Sequence, residues 1–143
     1  MDFKIQWFPG HMTKAKRMME QQLKLVDVVV EMLDARVPRS STNPMLNQLL
    51  GQKPKIIALN KVDMADPAKT EAWKEIFKNN GLPVCVIDCN TGKGVKQLVA
   101  AVQKAAQPVI DKWLKRGVKN RSIRVMIVGI PNVGKSRLIN RCV

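Results

Sequence analysis

Four short apolar runs, none with a polar face, decide most of what this chain can fold into. They occupy residues 28–33, 55–59, 84–87 and 123–128, and each has the length and β-branched content of a strand buried on both faces. Each run stops at a polar residue or a glycine: Asp34, Asn60, Asp88 and Gly129. The third follows a turn signal, Asn79-Asn80-Gly81-Leu82-Pro83. Segments with helical spacing surround them. Residues 13–24 set Met18, Met19 and Leu23 beside Lys14, Lys16, Arg17 and Lys24, with Thr13 as an N-cap. Residues 44–50, 67–78 (Trp73, Ile76 and Phe77 on one side) and 95–106 are the others. Helices alternating with strands that lack a polar face predict a three-layer α/β domain with a mostly parallel sheet. Right-handed crossovers then gather all the strand C-termini on one edge, where open α/β sheets bind ligands.

The 143 residues suffice for one such domain with a real core. At 45% apolar and 25% charged, the chain is neither disordered nor low-complexity. The 25 Lys and Arg against 11 Asp and Glu leave a net charge of +14, a field that attracts polyanions. Ten basic residues and one acidic between Lys104 and Val143 put +9 of that in the last quarter. Cys85, Cys89 and Cys142 have neither paired nor zinc-ligand spacing, which points to a reducing compartment. With no signal-like run and no stretch of about 20 uncharged apolar residues, the expectation is a soluble, cytoplasmic monomer without a membrane role.

Gly129-Ile130-Pro131-Asn132-Val133-Gly134-Lys135-Ser136 satisfies GxxxxGK[ST] between the fourth run and a helical start, Arg137-Leu138-Ile139-Asn140. A loop of inward-facing backbone N–H groups at a helix N-terminus holds phosphate oxygens, and its glycines leave room for close approach. Lys135 then reaches the β- and γ-phosphates and the Ser136 hydroxyl ligates Mg²⁺.

The base is addressed elsewhere. Asn60-Lys61-Val62-Asp63 matches NKxD, the guanine-recognition element of P-loop GTPases. A carboxylate accepts without donating, so Asp63 can take the ring N1–H and the exocyclic amine of guanine, whereas adenine leaves it unpaired. Asn60 can bond the other purine edge or tie the loop to its neighbours, and the Lys61 stem can cover the ring. Residues 88–94 sit where GTPases carry a short Ser-Ala segment whose backbone N–H meets the guanine oxygen, which makes Cys89 and Asn90 candidate base contacts. Cys89 stands in place of a small hydroxyl residue, and a glycine turn capping the next helix explains this loop equally well.

The order of these pieces is rotated, with NKxD at 60–63 ahead of the P-loop at 129–136. Together with Trp7-Phe8-Pro9-Gly10-His11-Met12, Asp34-Ala35-Arg36-Val37-Pro38 and Asn43-Pro44, this makes the whole chain resemble the circularly permuted ribosome-assembly GTPases of the ribosome biogenesis GTPase A (YlqF) type. The resemblance implies GTP and GDP with Mg²⁺ as ligands, the large ribosomal subunit and its RNA as partners, and GTP hydrolysis coupled to late subunit assembly. It divides 1–143 into an N-terminal motif and helix (1–24), a base-recognition half (25–107), a basic linker (108–121) and the P-loop strand and helix start (122–143). The family continues with a switch threonine, a DxxG metal motif, two further strands and a helical RNA-binding domain, and no DxxG occurs in this sequence. An incomplete N-terminal portion, weak or inactive in hydrolysis by itself, is therefore expected, with its last strand at a raw sheet edge.

Within the resemblance His11 is the catalytic candidate, since an imidazole can accept a proton from water near neutral pH; contact with RNA or simple packing competes with that role. Arg36 and Arg39 bind phosphate or solvate a loop, Trp7, Phe8, Trp73 and Trp113 pack or anchor, and the basic 112–124 stretch touches RNA phosphates or serves as a solvated linker. A non-catalytic, nucleotide-dependent RNA- or ribosome-binding module is the alternative function, and an adenine-specific P-loop kinase a third.

Overall fold

The computed structural model describes residues 3–9, 15–35, 44–60, 66–89, 91–119 and 121–129. Five strands, β1 (Phe3–Pro9), β2 (Val28–Asp34), β3 (Lys55–Asn60), β4 (Val84–Ile87) and β5 (Ile123–Gly129), form one sheet in the order β1-β5-β2-β3-β4. Every neighbouring pair is parallel. Among the described residues four helices connect them: α1 (Ala15–Leu23), α2 (Pro44–Leu49), α3 (Pro67–Asn79) and α4 (Val95–Lys115).

Burial explains why the predicted runs have no polar face. All seven residues of β2 and all six of β3 are buried. Val28, Val30 and Met32 face Val95, Leu98, Val102 and Ala106 of α4. On the opposite face Val29 meets Met19 and Leu23 of α1 and Leu46 of α2, while Leu33, Ile57 and Leu59 meet Trp73 and Phe77 of α3. The Trp73 and Phe77 rings lie 6.0 Å apart, one turn from each other, whereas Ile76, expected beside them, is nearly half exposed. Asp66 caps α3 by accepting the Ala68 N–H at 2.9 Å, and Pro67 begins the helix where a missing N–H costs nothing.

Two expectations are corrected. The last strand is not at a raw edge: β1 pairs with β5 from Phe3↔Ile123 to Pro9↔Gly129, leaving β5 interior between β1 and β2. The alternation Phe3, Ile5, Trp7 against Lys4 and Gln6 carries the period of a strand, and Pro9, without an N–H, is tolerated because β1 is the edge. The 95–106 helix runs on to Lys115, so much of the expected basic linker is helical. Pro108 lies on its exposed side and forfeits one backbone bond, while Val109, Ile110 and Trp113 keep the apolar side of the helix partly buried.

The rest of that stretch is anchored as well. The Asp27 carboxylate accepts from both terminal nitrogens of Arg121, at 3.1 and 3.3 Å, and from the Arg124 N–H at 2.9 Å. The Arg121 guanidinium also lies 4.6 Å from the Trp113 ring centre. This clamp joins the end of α4 to the N-terminal edge of the sheet. Inside the sheet, Lys55 Nζ donates to Glu31 Oε1 at 3.0 Å and to Asn47 Oδ1 of α2, so the charged members of β2 and β3 neutralise each other.

Candidate nucleotide-binding site

The parallel arrangement brings the C-terminal ends of β2, β3, β4 and β5 to one edge. In register, Asp34 of β2 stands beside Asn60 of β3, Asn60 beside Ile87 of β4, and Val128, one residue before Gly129, beside Glu31. Asn60 and Gly129, which belong to the two signatures read from the sequence, thus share an edge. Both Asp34 and Asn60 are more than nine-tenths buried, so each polar side chain is held inside the fold instead of waving in solvent.

Asn60 is fixed at both ends. Its backbone C=O accepts the Ala35 N–H at 3.1 Å, extending the β2–β3 ladder, and its side-chain Oδ1 accepts the Cys89 N–H at 3.3 Å. Of the two roles open to Asn60, tying neighbouring loops together is the one seen here. Cys89 donates its N–H to Asn60, and its side chain lies buried in the core beneath α4. Its side chain therefore belongs to the core, and its backbone to the contact between the two strand exits.

The loop after β4 is built to hold that position. The Asp88 N–H donates to the Lys93 carbonyl at 2.8 Å, the Gly92 N–H to the Asp88 carbonyl at 2.7 Å, and the Thr91 N–H to Asp88 Oδ1 at 3.3 Å. Gly94, with φ at 84°, precedes α4 in the left-handed region. A Cβ there would stand 2.2 Å from the Val86 carbonyl oxygen, so only glycine lets the helix start this close to the strand. Beneath this loop, burial pushes the Cys85 thiol above its ordinary pKa, partly opposed by the positive charge of Lys74.

His11, Lys61, Asp63, Asn90 and the P-loop residues Ile130, Pro131, Asn132, Val133, Gly134, Lys135 and Ser136 lie outside the described residues, as do Thr13, Arg36 and Arg39. Asp34, the acid that ends β2, shares this edge with Asn60. Among the described residues, no group of three or more His, Cys, Asp or Glu side chains could hold a metal ion, and no helix is long and apolar enough to cross a membrane.

Comparison with known proteins places this geometry in context. A family described as 50S ribosome-binding GTPase matches residues 124–143. Ribosome biogenesis GTPase A of Priestia megaterium is 52% identical over 138 residues, covering 96% of this chain and 48% of the relative. Mitochondrial ribosome-associated GTPase 1 of Mus musculus is 38% identical over 135 residues, covering 94% of this chain and 40% of the relative. GNP-bound YlqF from T. maritima superimposes with a TM-score of 0.64 at 37% identity, covering 90% of this chain and 47% of that one. A GDP-bound YlqF structure gives 0.62 at 35% identity, covering 87% and 47%. The chain spans about half the length of the curated relatives it matches. The α/β architecture predicted from the four apolar runs is thus that of a GTPase fold.

Proposed function

We propose, from the chain's homology with ribosome biogenesis GTPase A along 96% of its length, that it is the guanine-nucleotide-binding portion of a circularly permuted ribosome-assembly GTPase. The observation that carries this reading is the shared edge of Asn60 and Gly129, with the Asn60 side chain joined to the backbone of Cys89. In this reading Asp63 accepts the N1–H and amine of guanine, Lys61 covers the ring, and the guanine oxygen is left to the Asn90 N–H, since that of Cys89 is already donated to Asn60. Gly129 to Ser136 wrap the phosphates and Lys135 neutralises their charge.

Mg²⁺ fits this donor set. The Ser136 hydroxyl would hold the ion together with the phosphates, in keeping with its preference for few protein ligands. When bound, it neutralises charge on the transferring phosphoryl group. In this reading GTP hydrolysis by the full-length protein serves late assembly of the large ribosomal subunit in the cytoplasm. His11 is the residue we assign to orienting water. The solved relatives bound to GNP and GDP support the guanine ligand.

The test is base preference. Titration calorimetry should give GDP binding with no competition from ADP, and Asp63→Asn should move preference to xanthosine diphosphate, whose extra carbonyl replaces the amine. ADP binding as tightly as GDP, or an unchanged preference in the variant, would exclude the reading. The alternative is a non-catalytic nucleotide-dependent RNA-binding module. It predicts no GTP turnover by the full-length protein, with or without large subunits.

A further inference from the structure

We propose that the C-terminal end of α4 and the turn after it form an RNA-backbone-binding surface at the sheet edge opposite the nucleotide. The proposal deepens the ribosome-assembly reading and rests on it for the choice of RNA; the surface itself is argued from charge and placement. α4 leaves the nucleotide edge at Val95 and returns to β5, so its 21 residues carry the chain about 30 Å to the other side of the sheet. There Lys112, Lys115, Arg116 and Lys119 are all exposed. Lys112 and Lys115 share the last turn and Arg116 follows as the C-cap, four residues from Lys112.

The clamp sorts these cations by use. Arg121 is consumed by Asp27, whereas Lys112, Lys115, Arg116 and Lys119 make no ion pair among the described residues. The acid in their midst, Asp111, is engaged by the Gln107 amide at 2.9 Å. Lys24, exposed at the end of α1 and three residues before Asp27, adds a further cation to the same edge. Complementing the helix dipole accounts for Lys112 and Lys115 in the last turn, but not for Arg116 and Lys119 beyond it. Exposed Leu114 and Val118 interleave with the charges, an amphipathic surface unlike a solvated tail. A row of cations without alternating acids suits a continuous phosphate backbone better than a protein partner, whose surface carries both signs.

The experiment is fluorescence anisotropy with a labelled RNA hairpin of about 16 base pairs, the span of a double-stranded RNA module, across a salt series. In the variant Lys112→Gln/Lys115→Gln/Arg116→Gln/Lys119→Gln, affinity should fall at least about tenfold and the slope of log K against log salt should shrink by about 3, as expected for four lost phosphate contacts. GDP affinity should stay as it was. A control, Lys69→Gln/Lys78→Gln on exposed positions of α3, should change the slope by less than about 1. In the unsubstituted chain, 4-thiouridine crosslinks should map to 112–119, a readout that holds even if the quadruple variant folds poorly. Equal loss in the α3 control, crosslinks confined to the nucleotide edge, or displacement of the RNA by a poly-glutamate peptide of equal charge would each overturn the proposal. RNA binding that survives a chain unable to bind GDP would support this surface while refuting the nucleotide reading.

Discussion

The side-chain oxygen of Asn60 and the backbone N–H of Cys89, 29 residues apart in sequence, meet at 3.3 Å and join the exits of β3 and β4. One amide thereby sets how far the loop at 88–94 stands from the NKxD segment. Asn60→Ala removes the acceptor and leaves a buried N–H unsatisfied, at about 1–3 kcal/mol. The expected outcome is a lowered denaturation midpoint in urea, together with at least about a tenfold loss of GDP affinity by calorimetry.

Gly94→Ala should be the most damaging glycine substitution described here. The left-handed φ of 84° and the 2.2 Å approach to the Val86 carbonyl act together, and the obstacle is backbone, which cannot swing aside. Gly51→Ala meets a positive φ of 63° but open space, so strain acts there alone. Thermal denaturation should show a loss of about 1 kcal/mol for Gly51→Ala and clearly more for Gly94→Ala. Equal losses would mean that the close contact is not enforced.

Lys55→Met should destabilise more than the double substitution Glu31→Leu/Lys55→Met. The single change takes the Lys55 cation from a Glu31 carboxylate that is 1% exposed, whereas the double change removes both charges. Breaking such a pair costs about 3–5 kcal/mol, while replacing it by apolar residues is often near neutral. A double-mutant cycle from urea unfolding measures the coupling, and additive losses would contradict it.

Alkylation of Cys85 should lag behind that of an ordinary thiol at neutral pH, because burial raises its pKa despite Lys74. The sign for stability follows: the folded thiol holds its proton where the unfolded one has released it. The contribution is complete below the ordinary thiol pKa of about 8.5 and disappears as pH climbs through the raised folded value. Peptide mapping after timed iodoacetamide treatment, native and in urea, across pH 7–10 (about the range that brackets a free thiol) reads both effects. A native labelling profile matching the urea profile would contradict it.

β2 and β3 are legible because burial on both faces leaves no alternation to misread, whereas β4, at the sheet edge, is only half-buried over three of its four residues. Residues 84–87 form β4 with the predicted bounds because a glycine-proline turn precedes them and Asp88 follows. β1 was illegible as a strand because its alternation lasts only three apolar residues, and its place is set by β5, more than a hundred residues later. Pro108 made α4 look finished a turn and more before it ends, since a proline breaks a helix only if the lost bond is not outweighed by packing. Asn60 and Cys89 can each be picked out from their motifs, but the bond between them cannot, because loop-to-loop contacts leave no periodic trace. The Asp27–Arg121 pair, 94 residues apart, is equally invisible to local patterns.

The interior place of β5 has a consequence for biosynthesis. β1 and β2 are made early, yet the slot between them is filled by the strand that ends at Gly129. Throughout translation of the preceding hundred or so residues, roughly the span from β2 to β5, two nascent hydrogen-bonding edges stay open on either side of a gap. Pairings this remote are slow to find and prone to intermolecular capture, so a trigger-factor-like holding chaperone at the tunnel exit should raise the yield of this chain more than it would a protein whose sheet grows strand by strand outward.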